Sequence, residues 1–247
     1  MQISPELKQR LQLVMLAAIL ISGARLGYIL YQRHESRLAA RKQPPPLNAD
    51  YYVTPKKLYP YDLKSARQLT QQPVWVKVGY GYIYYPYDTA RHRVDFSHEA
   101  GKLLPIEKLQ IKDVISEAAP QSPGERQVMA VFDKEGKAYA FPIGSTKGGE
   151  YKFYSDDMLF IQDPHELYNH WPSDVWTAID QHQVKPGMSE LQADFAVGIG
   201  IPEGSGGESG NRTVNYPNGG NPLSITYRND KAVEIKAAAT APGLDHH

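Results

Sequence analysis

Four groups of side chains in this chain have residue types capable of chemistry, and their spacing decides what each can do. His165 and His170 stand five residues apart. Two imidazoles sharing a metal ion on one helix face need the i, i+4 interval, so this pair is poorly placed as ligands. Asp156, Asp157, Asp163 and Glu166 offer four carboxylates in a short span. They lack the glycine-punctuated loop of a calcium site and read as a solvated acidic face. Gly204-Ser205-Gly206-Gly207 has the composition of a phosphate loop, but no Lys-Ser/Thr pair follows it and it opens no helix. Ser205 also lacks the strand–turn–helix frame of a nucleophile elbow. The expectation is therefore no catalytic residue, no metal and no cofactor.

Composition narrows the remaining classes. Lys and Arg number 27 and Asp and Glu 27, so the formal net charge is zero and no basic footprint for nucleic acid exists. There is no cysteine, which excludes disulfides, thiol catalysis and Cys-ligated metal and leaves the compartment open. Tyrosine is abundant (17) where phenylalanine is scarce (6), a balance that suits half-exposed sheets better than deep helical cores.

The longest apolar run is Leu11–Tyr31, LQLVMLAAILISGARLGYILY, with Arg25 as its one charge. A helix over it would reach about 30 Å, roughly the hydrocarbon thickness of a bilayer. The expectation is one retained transmembrane anchor, with Arg25 snorkelling to the headgroups. A cleaved signal peptide is the competing reading, with Lys8 and Arg10 before Leu11–Ile21 and Ser22-Gly23-Ala24 as the cleavage site. Against it, apolar character resumes at once in Leu26–Tyr31. Arg33, Arg37, Arg41 and Lys42 follow the run, which by the positive-inside rule puts the body in the cytoplasm, although long domains translocate largely regardless of charge.

The chain then divides into a tail and anchor (1–31), a basic, Pro-rich linker (32–50), a β-rich domain (51–162), an α+β domain (163–236) and a tail (237–247). Pro44-Pro45-Pro46 stops any helix leaving the anchor. In Pro73–Tyr87, Val74, Val76, Val78, Tyr80, Tyr82 and Tyr84 share one face by period two. Tyr80, Tyr82 and Tyr84 are either a platform for a glycan or peptide or an ordinary half-buried sheet face. Gln127–Phe132 and Lys137–Ile143 flank Asp133-Lys134-Glu135-Gly136 as a hairpin. Short strands at this spacing predict a small SH3-like barrel or sandwich.

After Asp163-Pro164 the period becomes helical: Val175, Trp176, Ile179 and His182 fall on one face. In Val184–Pro202, Ser189 and Gln192 have capping-box spacing. The helix they open would turn Leu191, Phe195 and Ala196 to a sheet and end at Gly198-Ile199-Gly200. Strands are expected at Arg212–Tyr216, Leu223–Arg228 and Ala232–Lys236.

This order of elements, with Gly187, Met188, Ser189, Gln192, Gly198, Tyr216 and the Leu223–Tyr227 strand, resembles the SmpA/OmlA (BamE-like) lipoprotein family over residues 172–236. Proline comes two residues later than in the family pattern, at Pro202, and no lipobox cysteine is present. The resemblance implies an α+β interaction module and a place in the cell envelope, since members of that superfamily that are understood mostly bind proteins there.

The combined expectation is an α+β protein with a transmembrane helix, an SH3-like β domain and a BamE-like C-terminal domain. It would sit in the bacterial inner membrane with a periplasmic body (a cytoplasmic body being the alternative) and act as a scaffold or assembly subunit. Gly187, Met188, Ser189, Gln192, Phe195, Tyr80, Tyr82 and Tyr84 are its candidate interaction and structural residues. Its partners would be the membrane, through one helix, and proteins. Two other functions stay open: an accessory subunit of a membrane energy-transducing complex, and a cell-wall hydrolase.

Overall fold

The computed structural model describes residues 15, 21–34, 48–78, 81–120, 122–204 and 208–237. The chain forms two compact units, Met1–Tyr51 and Tyr52–His247.

In the first unit, residues 21–34 form a helix, α1, whose residues are all exposed. No described helix is long and apolar enough to cross a membrane. This overturns the expected anchor over Leu11–Tyr31, and with it the single-pass, inner-membrane localisation. The physical reason lies in length and polarity. The described part, residues 21–34, spans about 21 Å, against the roughly 30 Å that a bilayer core requires. Gly23, Arg25, Gly27, Gln32, Arg33 and His34 lower the apolar character of this described part. Residues 11–20, apart from Met15, and the Pro-rich run at 44–46 lie outside the described residues.

The second unit is mostly β, which corrects the expected α+β class. Its strands are β1 Val74–Val76, β2 Ile83–Asp88, β3 Arg93–Val94, β4 Gly101–Lys102, β5 Lys108–Leu109, β6 Ile111–Ala118 and β7 Glu125–Lys134. They continue as β8 Lys137–Lys147, β9 Glu150–Phe153, β10 Leu159–Phe160, β11 Ile201–Pro202, β12 Thr213–Tyr216, β13 Leu223–Arg228 and β14 Lys231–Ala237. Short helices α2 Leu63–Ala66, α3 Ser155–Met158 and α4 Pro164–Leu167 accompany two of eight residues each, α5 Ser173–Asp180 and α6 Glu190–Val197.

Three sheets result: β10-β1-β5, β11-β12-β13-β14, and a seven-stranded sheet running β3-β2-β8-β7-β6 with β4 on β2 and β9 on β8. The β7–β8 hairpin forms as predicted but with longer strands. Its tip is Glu135-Gly136, both at positive φ (53° and 76°), the conformation whose twist suits a two-residue hairpin.

The single strand predicted over Pro73–Tyr87 is two strands in two sheets. β1 pairs with β10 and β5, while β2 pairs with β8, β3 and β4. All three residues of β1 are buried, so its two faces both meet apolar neighbours. Val74, Val76 and Leu159 face one core, with Leu69, Phe132, Phe141 and Ile143. Trp75 and Phe160 face a second, with Trp171, Trp176, Phe195, Tyr216 and Tyr227. The three-stranded sheet is a wall common to both.

Helix α6 begins as expected. The Ser189 hydroxyl accepts from the Gln192 N–H at 3.2 Å, and the Gln192 side chain accepts from the Ser189 N–H at 2.9 Å. Gly198, at φ 90°, ends the helix. Phe195 is buried within a ring of aromatics, with Tyr168 and Trp171 centroids both 5.0 Å away and Phe160 at 6.0 Å. Just upstream, the Gly187 N–H donates to the Ala232 carbonyl and the Ala232 N–H to the Met188 carbonyl, which ties the helix start to β14. Met188 is buried beside them.

Candidate functional site

The end of α6 and the turn after it face the β2–β4 region across a cleft of about 190 Å³. One wall is Val197, Gly198, Ile199 and Ile201, continued by Pro217, Asn218 and Gly219; the other is Val76, Tyr82, Leu103, Leu104 and Pro105. Lys77, Gly81 and Lys102 complete the lining. At the rim Leu104 is 42% exposed and Ile201 64%, so apolar surface continues outward from the cleft.

Backbone close approach sets the lysines. A side chain at Gly101 would place its Cβ 2.7 Å from the Tyr84 hydroxyl oxygen, so only glycine lets the buried Tyr84 ring seat against β4 and fix the strand that carries Lys102. Gly81, at φ +68°, occupies the left-handed region and lies against the Lys102 stem. Lys102 itself is exposed. Lys77 is half-buried. Its Nζ donates to the Asp156 carbonyl and lies 5.0 Å from the Phe160 ring centroid. Burial pulls the Lys77 ammonium below its usual range, and Lys57 adds to this against the opposing charges of Asp156 and Asp157. Burial, with Asp157, raises the Tyr82 phenol.

Directly behind the turn lies a polar network. Glu190 and Asp194 stand one helical turn apart on α6. Glu190 is paired with Arg212 through one guanidinium edge, accepting from Nη2 and from Nε at 3.2 Å, and also accepts from the Gly210 N–H at 3.1 Å. Hydrogen bonding to Glu190 raises Arg212 further. The Asp194 carboxyl lies near Tyr216 and the Gly200 backbone. Tyr216 and Tyr227 are linked hydroxyl to hydroxyl at 2.9 Å. Burial first, and the Glu190 charge second, push the Asp194 carboxyl up to about 7. Burial raises both tyrosines as well, Tyr216 with help from Asp194.

Of the residues singled out from sequence, Tyr82 lines the cleft and Tyr84 supports it from behind, in edge contact with Phe132 and Tyr139 at 5.6 and 5.0 Å. Tyr80 lies outside the described residues, as do Ser205, Gly206 and Gly207. Gly187, Met188, Ser189, Gln192 and Phe195 build α6 and its seat and do not line the cleft. Lys77, Lys102 and Asp194 were not singled out. The repeat Glu190…Asp194, two carboxylates at i, i+4 on a helix with buried alanines, was the available signal for the network. Nothing local marks Lys102.

Two other clusters are structural. His165 bridges Asp163 at 2.9 Å and Asp180 at 3.2 Å and stacks on Trp176 at 4.1 Å, tying α4 to α5. Among the described residues no three His, Cys, Asp or Glu side chains are grouped to hold a metal ion. Asp95, Ser97 and His98 meet in an exposed loop. The Ser97 hydroxyl donates to Asp95, and His98 Nδ1 faces both Asp95, at 2.8 Å, and Ser97, at 3.0 Å. A serine triad needs the hydroxyl on Nε2 and the carboxylate on Nδ1–H. Here the serine proton goes to the carboxylate, so this is a turn motif.

No known protein family, curated protein or solved structure matches the chain.

Proposed function

We propose that this protein is a non-catalytic interaction module whose cleft receives one apolar side chain of a protein partner, with an acidic residue beside it meeting Lys102 and Lys77. The observation that carries this is the lining itself: apolar walls, an apolar rim and two lysines, Lys77 and Lys102, among the lining residues. The volume of about 190 Å³ falls below the roughly 300–1,000 Å³ of small-molecule sites and suits a single large side chain. Aliphatic anchors in a pocket supply most of the energy of such contacts, and a rim charge supplies selection and encounter rate. The resemblance of residues 172–236 to the SmpA/OmlA lipoproteins agrees with a protein-binding role.

Selection of the full-length chain against a random peptide library tests this. Enriched peptides should pair a Leu, Ile, Met or Phe with a neighbouring Asp or Glu. Their affinity should fall about tenfold or more for Lys102→Glu, a charge reversal at an exposed position. A selection without such a motif, or a motif indifferent to Lys102→Glu and to Ile199→Asp, would remove the reading.

A further inference from the structure

We propose that β14 is a dimerisation strand: two copies of this chain pair antiparallel along its open edge, centred on Ile235. The cleft plays no part in this, since no residue of β14 lines it. The four-stranded sheet ends at β14, which pairs with β13 alone. Alternation along the ladder decides which backbone groups of β14 point to β13 and which point away. Arg228 and Lys231 close the hairpin around Asn229-Asp230, both at positive φ. Ala232, opposite Tyr227, points away, and the backbone of Gly187 and Met188 closes on it from the open side. Val233 is passed over at a bulge. On β13 the Tyr227 N–H donates to the Arg212 carbonyl, toward β12, so Thr226 and Ser224 face β14. Their partners Glu234 and Lys236 therefore bond inward, and Ile235 and Ala237 turn their N–H and C=O groups outward. Among the described residues no hydrogen bond takes those outward groups.

Such an edge is a template for an added strand, and the charges on this one select a second copy. Glu234 and Lys236 lie on the solvent face of β14, their side chains 53% and 65% exposed and 2.9 Å apart. When Ile235 stands opposite the Ile235 of a second copy, Glu234 of each chain faces Lys236 of the other. That gives two cross-strand pairs of opposite charge, related by a two-fold axis. Registers centred on Glu234 or on Lys236 instead set like charges face to face. The same register makes Ile235 a hydrogen-bonded pair with its counterpart, which is what its outward N–H and C=O require. It also brings the Ala237 of one chain to Val233 of the other, an apolar side chain left 53% exposed. Gly187 and Met188 fill the edge at Ala232, so the paired stretch runs only from Val233 to Ala237. A contact this short makes a weak dimer that forms as concentration rises.

Sedimentation equilibrium of the full-length chain, with no peptide present, reads the monomer–dimer constant directly. Glu234→Lys and Lys236→Glu, both at exposed positions, should each weaken the dimer about tenfold or more, because each sets like charges opposite one another. An equimolar mixture of the two variants should associate as the parent does, since each then meets the opposite charge on the other. A parent that stays monomeric, association indifferent to both reversals, or a mixture no better than its components would overturn the proposal. Should either reversal fail to fold, Ala237→Pro decides. It removes an outward N–H that only the added strand uses; a weakened dimer supports the pairing and an unchanged one overturns it.

Discussion

Trp75 and Phe160 are direct partners across β1 and β10, and both point into the aromatic core that surrounds Phe195. The residues beside them in each strand, Val74 and Leu159, point into the other core. The β1–β10 pair is therefore buried on both faces, and each core depends on the strand pairing that the other also uses.

Shared strands imply shared unfolding. Trp75→Ala should destabilise by about 3–5 kcal/mol, the usual cost of truncating a buried aromatic. Residues 52–237 should still melt in one transition, with calorimetric and van't Hoff enthalpies in agreement. Two resolved transitions, with only one shifted by Trp75→Ala, would show that the wall does not couple the cores.

A large difference is expected between the start and the middle of α6. Phe195 contacts four aromatic rings and is 2% exposed. Phe195→Ala should cost about 3–5 kcal/mol. Ser189→Ala loses one cap bond and should cost only about 1 kcal/mol. Urea unfolding followed by tryptophan fluorescence measures both, because Trp171 and Trp176 report on the same core. Equal costs would mean that the aromatic ring around Phe195 contributes little.

What was legible in the sequence was local. The capping box spans four residues, the β7–β8 hairpin is set by one turn, and β12 to β14 by alternation between turn residues. Signals of that range survive without knowledge of the fold. The break in Pro73–Tyr87 was hidden because the alternation of Val74 to Tyr84 runs on through the point where the chain changes sheets. Trp75, out of phase with the valines, was the one hint that β1 is buried on both sides. The cleft was illegible for a further reason: Lys102 is placed by Tyr84 seated on Gly101, and the opposite wall comes from residues about a hundred positions later. The apolar run at 11–31 was misread on length alone, when its described part contains two glycines and an arginine.

Gly200 admits no side chain without displacement, since Val214 Cγ1 and the Tyr216 ring occupy the space of a Cβ. Gly200→Ala should lower stability by about 1–3 kcal/mol, as overpacking does. It should also weaken the selected peptides through the turn it displaces. Gly204→Ala offers a contrast: that Cβ meets nothing, but the backbone is at φ +75°. Its cost, of about 1 kcal/mol, should come from conformation alone and leave peptide affinity unchanged. Thermal melts paired with peptide titrations separate the two.

Asp194 should make the protein less stable as pH rises through neutrality. Its carboxyl sits near 3.8 in the ordinary state and is pushed up to about 7 by burial and by Glu190. Between those values the unfolded chain has already released the proton that the folded chain keeps. Linkage then makes the free energy of unfolding fall with increasing pH across that window, the reverse of a paired carboxylate. Above it the decline from this group stops. Asp194→Asn keeps the size of the side chain and titrates in neither state. Urea unfolding at pH 5 and pH 8 should show the parent losing stability across the interval and Asp194→Asn losing less, so that the variant equals or exceeds the parent at pH 8. A parent that gains stability between those two values would place Asp194 among the ordinary ionised surface carboxylates.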